Sequence, residues 1–253
     1  MGIPDSTIYR SHFNRPQSGR GFTLLELLIV ISIIVILGLI LIFALNPAES
    51  LRKSRDAQRI SDLSTLTTAI GVYATSVLSP DLDAALSGVC LDSAGGNNNA
   101  EISYSLAQSS DPTCSNNVLE GSDVNTANTT FDSADACRYV VAANVTLTDG
   151  TGWLPVDLGQ ISGGSPIRSM PLDPVNAVGT PTSPDSADLV YRYACQHDGG
   201  PDNPSTVFEI NAQLESDTYG PNGQDLEAID GGDNAIYFEA GTSVFLIGSG
   251  TNF

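Results

Sequence analysis

Hydrophobic positions along this chain follow two different patterns before giving way to a mostly polar remainder. From Leu27 to Leu45 there are 19 consecutive residues without a charge, nearly all Leu, Ile or Val. At about 1.5 Å per helical residue, such a run just spans a hydrocarbon core of about 30 Å, so it predicts a membrane helix. A removable secretory signal has an apolar core of roughly 7–15 residues followed by a small-residue cleavage site. Ala44-Leu45-Asn46-Pro47 fits that site poorly. Pro47 should break or kink the helix. Beyond it, Leu51, Ile60, Leu63, Leu66, Ile70, Tyr73 and Val77 form one stripe, spaced by three or four once past the charged stretch. This spacing predicts an amphipathic helix over 47–78 whose stripe packs on a globular domain.

Residues 79–135 are rich in Asp, Ser, Asn and Gly, include Gly95-Gly96-Asn97-Asn98-Asn99, and read as a long loop-dominated insertion. Strand signals follow at 138–148, 189–195, 207–214 and 235–247, where Val, Ile, Tyr, Phe and Thr gather; Phe208, Ile210, Ala212 and Leu214 alternate with polar residues. Polar turns such as Asp198-Gly199-Gly200-Pro201 suit antiparallel connections. The expected fold class is α+β: a long N-terminal helix, membrane-spanning and then amphipathic, laid against a small antiparallel sheet that buries both apolar faces. Trp153 is expected to lie buried over that sheet.

Charge sharpens this division. The formal net charge is −19, and seven of the ten basic residues lie at or before residue 59: Arg10, Arg15, Arg20, Arg52, Lys53, Arg55 and Arg59. From residue 60 onward 25 acids face three bases, Arg138, Arg168 and Arg192, a local balance of about −22. A surface of one negative sign repels phosphate, so no direct nucleic-acid site is evident. The basic group at 52–59, beside Glu49, Asp56 and Asp62, reads either as a solvated helix face with paired charges or as a surface meeting anionic lipid and later the acidic faces of neighbouring subunits. The four cysteines, Cys90, Cys114, Cys137 and Cys195, include no CxxC pair, which argues against structural zinc. An even count in a chain that leaves the cytoplasm favours two disulfides, with three possible connectivities. Asn128-Thr129-Thr130 and Asn144-Val145-Thr146 have the form of glycosylation sequons.

The segment Gly21-Phe22-Thr23-Leu24-Leu25-Glu26 opens the apolar run and follows a polar, arginine-bearing leader. A carboxylate inside a membrane segment is expensive, so Glu26 is a functional residue by default. The segment resembles the class III signal of type IV pilins and type II secretion pseudopilins. The resemblance implies a pilin fold and cleavage by a prepilin peptidase between Gly21 and Phe22. Phe22 becomes the N-methylated first residue, and Glu26 neutralises the Phe22 amine of a neighbouring subunit. It divides the chain into a leader (1–21), a transmembrane and polymerisation helix (22–46), an amphipathic helix (47–78) and a loop-rich globular β domain (79–253).

Implied partners are identical subunits in a helical homopolymer, the prepilin peptidase, a pilus assembly platform with its ATPase, and the membrane before assembly. The protein would be a single-pass inner-membrane protein first and part of a surface filament afterwards. The function expected is that of a major filament subunit, with a minor pilin, an adhesin or a pseudopilin as the alternative.

Gly152-Trp153-Leu154-Pro155-Val156 and Pro171-Leu172-Asp173-Pro174-Val175-Asn176 are similar to the loop between helix and sheet in bacterial pilin-like proteins, although pseudopilins usually continue with an aromatic and a glycine where this chain has Val175-Asn176. Residues 217–225 and 230–234 place Asp217, Asp225, Asp230 and Asp233 on glycine-bearing loops without EF-hand spacing; the choice is between a calcium site, as in the major pseudopilins, and ordinary Asp/Gly turns. No enzyme is expected, since His12 lies in the leader and His197 in a Gly/Pro-rich loop, with no nucleophile or paired metal motif around them.

Overall fold

The computed structural model describes residues 21–84, 89–92, 101–107, 137–181, 184, 187–197 and 206–247. The leader with His12, most of the 79–135 insertion with the Asn128 sequon and Cys114, and the side chains of Cys137 and His197 lie outside the described residues. The chain divides into two units, Met1–Pro47 and Ala48–Phe253.

The first unit holds α1 (Leu24–Leu45), 22 residues capped by Thr23. It is long and apolar enough to cross a membrane. Its described side chains are exposed except for half-exposed Gly38, so an apolar surface covers the whole circumference, as a lipid-embedded helix requires. The helix stops at Asn46, whose backbone is left-handed with φ 38° and ψ 70°. Asn tolerates that region, and a residue before proline is driven out of the α region.

The second helix, α2 (Pro47–Ser76), begins on Pro47, where a missing N–H does no harm. Its buried face comprises Leu63, Leu66, Ala69, Ile70 and Tyr73, together with Asp56 and Arg59. The expected stripe therefore holds from Leu63 onward, whereas Leu51 is 62% exposed. Further N-terminal, the buried positions are charged.

The strands are β1 (Leu91–Asp92), β2 (Ile102–Ala107), β3 (Cys137–Val140), β4 (Arg192–His197), β5 (Val207–Gln213) and β6 (Tyr237–Gly241). They form one sheet in the order β3-β2-β4-β5-β6, with β1 added beside the end of β4. The β2-β4-β5-β6 meander is antiparallel as expected. The β2-β3 and β1-β4 pairs are parallel, so the sheet is mixed. A central strand, β2, also emerges from the region read as loop. The strand signal at 138–148 ends at Val140 and continues as turns, with Asn144 half-buried among them.

One sheet face meets α2 in a core that includes Leu63, Leu66, Tyr73, Trp153, Tyr191, Tyr193, Phe208 and Ile210. Trp153 is fully buried there, and its indole N–H donates to the Pro171 carbonyl at 3.0 Å. The opposite face carries a second cluster with Tyr104, Tyr139, Tyr237, Leu246 and Ile247. A disulfide joins Cys90 to Cys195, tying the segment before β1 to β4 across 105 positions.

Candidate processing and assembly site

The chemistry expected at Gly21, Phe22 and Glu26 sits where an extended segment enters α1. Gly21 and Phe22 are exposed, Phe22 by 77%. Thr23 has extended backbone and caps the helix. Its hydroxyl accepts from the Glu26 backbone N–H at 3.2 Å. In return, Glu26 Oε2 accepts from the Thr23 backbone N–H at 3.1 Å and from the Thr23 hydroxyl at 3.0 Å. This reciprocal capping box satisfies donors that the first helical turn leaves open. An acid in the first turn also suits the positive end of the helix dipole. The carboxylate expected to act between subunits is thus held within its own chain through one oxygen.

A second charged constellation sits where α2 meets the loops of Ala48–Phe253. Arg59 is fully buried, and its guanidinium makes a forked pair with Asp173, 2.6 and 2.9 Å, and further contacts with Asp56 and Glu215 at 2.7 Å each. Arg55 forks onto Glu215 at 2.7 and 2.9 Å. Asp56 accepts the backbone N–H groups of Glu215 and Ser216, and Glu49 accepts that of Thr218. Asp173 also accepts from the N–H groups of Val175 and Asn176, so the Pro171-Leu172-Asp173-Pro174 loop is fastened to the helix by one side chain. Burial works against the Arg59 charge, but hydrogen bonding and charge from Asp173, helped by Glu215 and Asp56, hold its pKa above the ordinary value. Burial works against the Glu215 charge, but hydrogen bonds and charge from Arg55 and Arg59 hold its pKa below the ordinary value.

For Arg59 this arrangement departs from both readings of residues 52–59, the solvated helix face with paired charges and the surface meeting lipid or neighbouring subunits, because its side chain is fully buried. Arg55 and Arg59 are internal clamps of their own chain. Lys53 lies over the Tyr219 ring at 5.7 Å. The i to i+3 pairing of Asp56 with Arg59 was legible from spacing; the partners 114 and 156 positions away were not.

The residues considered for calcium are dispersed in role. Asp217 is exposed in the segment docked on α2. Asp225, left-handed at φ 51°, precedes the one-turn α3 (Leu226–Ile229). Asp230 ends α3 and accepts from the N–H groups of Gly232 and Glu239, and Asp233 is half-buried nearby. Among the described residues no three His, Cys, Asp or Glu side chains gather so as to hold a metal ion. The loop is instead drawn tight by Gly223, where an added Cβ would collide with the Thr218 carbonyl.

On the other sheet face, Glu209 and Glu239 are both buried, and the charge of one disfavours that of the other. Glu209 also accepts the N–H groups of Leu246 and Ile247 at 2.7 and 3.0 Å, which pins the C-terminal segment to the sheet. Burial raises the pKa of both, and for Glu239 the Glu209 charge adds to it. Glu227, which accepts the Leu214 N–H, is pushed up to about 7 by burial.

Residues 17–42 match the family described as the prokaryotic N-terminal methylation motif. The match covers Gly21, Phe22, Glu26 and most of α1, and it is consistent with a pilin-like protein. No curated protein and no solved structure matches the chain.

Proposed function

We propose that this chain is the major structural subunit of a type IV pilus-like extracellular filament. A prepilin peptidase cuts between Gly21 and Phe22 and methylates the new terminus. The mature subunit waits in the inner membrane on α1 until an assembly platform and its ATPase extract it. Subunits then stack helix to helix, with the Glu26 carboxylate paired to the Phe22 amine of a neighbour. Such pairing removes two lone charges from an apolar environment and sets the axial register.

The observation that carries this reading is a methylation motif opening a helix that is apolar around its whole circumference and carries one acid, Glu26, in its first turn. A helix that only needed an anchor gains nothing from that acid. Elsewhere α1 exposes apolar side chains and Ser32, whose hydroxyl donates to the Ile29 carbonyl of its own helix; such a helix can pass from lipid to a bundle of identical helices without changing its chemistry.

Intact-mass and N-terminal peptide mass spectrometry on filaments sheared from the native cell surface tests the proposal. The expected result is a dominant species beginning at N-methylated Phe22. A trace species of the same mass would instead make this a minor subunit or adhesin. Full-length or absent protein in sheared material would remove the filament reading.

A further inference from the structure

Three hydrogen bonds join Thr23 and Glu26, and they use the carboxylate unevenly. Oε2 takes both Thr23 donors, the backbone N–H and the hydroxyl. Oε1 has no hydrogen-bond partner among the described residues. The Thr23 hydroxyl works in both directions, accepting from the Glu26 N–H while donating to Oε2. Val has nearly the same shape as Thr but can do neither, whereas Ser can do both.

We propose that Thr23 is a positioning residue for assembly: its hydroxyl fixes the Glu26 side chain across the start of α1, so that Oε2 is satisfied within the subunit and Oε1 is left to receive the amine of the next one. The inference rests on the filament reading above and adds a role for a residue that is neither cut, methylated nor charged.

Two physical consequences follow from the geometry. In the stored subunit, a carboxylate facing hydrocarbon keeps two donors on one oxygen, which lowers the penalty of holding it there. During docking, a flexible Glu would have to freeze its side-chain rotations as it met the incoming amine. The capping box has already frozen them. Without the hydroxyl, Glu26 keeps only the bond from the Thr23 N–H, and its own N–H loses a partner.

The test uses the full chain in its native cell, comparing wild type with Glu26→Gln, Thr23→Val and Thr23→Ser. Sheared filament is measured per mature subunit in the membrane, with cleavage after Gly21 checked by mass. Thr23→Val should lower the yield on the order of fivefold, as losing one helix cap would. Thr23→Ser should restore it, and the ratio of mature to uncut protein should stay constant in both.

Equal yields for Thr23→Val and wild type, in cells where Glu26→Gln abolishes filaments, would overturn the role of Thr23 and leave the filament reading standing. Filaments that persist in Glu26→Gln would overturn the pairing itself. Loss of cleavage in Thr23→Val, with Thr23→Ser cut normally, would assign the hydroxyl to the peptidase and also overturn the inference. A yield in Thr23→Ser as low as in Thr23→Val would show that the methyl group, not the hydroxyl, matters, and would overturn it as well.

Discussion

Two residues of α2 that look alike in sequence have different energetic weight. Arg59 is fully buried with Asp56 and Asp173 equally buried around it, whereas the Arg55 side chain keeps 32% of its surface. Removing one member of a buried ionic cluster leaves the others desolvated without compensation, at a cost of about 3–5 kcal/mol. Half-exposed pairs contribute about 1 kcal/mol or less. Arg59→Ala should therefore lower the unfolding free energy of Ala48–Phe253 several-fold more than Arg55→Ala, as read by urea titration of the two variants.

The buried acids Glu227, Glu209 and Glu239 predict a pH dependence of the opposite sign to ordinary acid denaturation. Glu227 has a folded-state pKa raised from 4.5 to about 7. Its contribution is thus fully present below about 4.5 and lost as pH rises through about 7. The Glu209–Glu239 pair, with Asp230 and Asp233 facing it, acts in the same direction. Glu239→Gln can donate to Glu209 without titrating. It should raise the melting temperature at pH 8 by about 2–4 °C per kcal/mol recovered and flatten its pH dependence between 5 and 8. An unchanged slope would mean that the Glu209–Glu239 pair does not carry the pH dependence.

At the scale of elements, periodicity was legible wherever one face meets lipid or core. The charge-free run predicted α1, and the spacing from Leu63 to Tyr73 predicted the buried face of α2. β2 was hidden because Ile102-Ser103-Tyr104-Ser105 is short, set in Ser- and Asn-rich sequence, and buried on both faces, so its serines read as loop. Ser105 shows why burial is tolerated: its hydroxyl donates to Asn176 and accepts from the Tyr191 N–H. The parallel pairing of β3 was equally illegible, since it depends on where a long excursion returns the chain and not on local pattern. At the N-terminal methylation motif, Gly21, Phe22 and Glu26 were readable from residue type and order. The part played by Thr23 needed side-chain geometry. One tie between elements carries a prediction of its own. Cys90 and Cys195 close a loop of 105 positions, and constraining an unfolded chain over such a length is worth about 2–5 kcal/mol. A Cys90→Ala, Cys195→Ala double variant should lose about that much stability by denaturant titration. The sheet should remain, because Cys90 and Cys195 are two members of a core cluster whose other residues, including Leu63, Trp153, Tyr193 and Phe208, are untouched.

At the scale of the whole molecule, the two units have opposite requirements of their surroundings. Along α1, Met1–Pro47 offers water a surface that is apolar apart from Glu26 and Ser32, while Ala48–Phe253 carries 27 acids against seven bases. A fragment beginning at Ala48 contains the whole sheet, the disulfide and both hydrophobic clusters. It should fold as a soluble monomer and melt cooperatively. Like charges at that density repel over a Debye length of roughly 30 Å at 0.01 M salt but only about 3 Å at 1 M. Repulsion among surface acids is therefore screened by salt, whereas the buried Arg59 cluster is largely protected from it. Its melting temperature should rise as sodium chloride is raised from 0.01 to about 0.5 M, since exposed repulsion weakens more than buried attraction. A fall over the same range would mean that pairs such as Arg55–Glu215 outweigh the repulsion, and that the acidic surface is balanced by its own cations rather than left for a neighbouring subunit to meet.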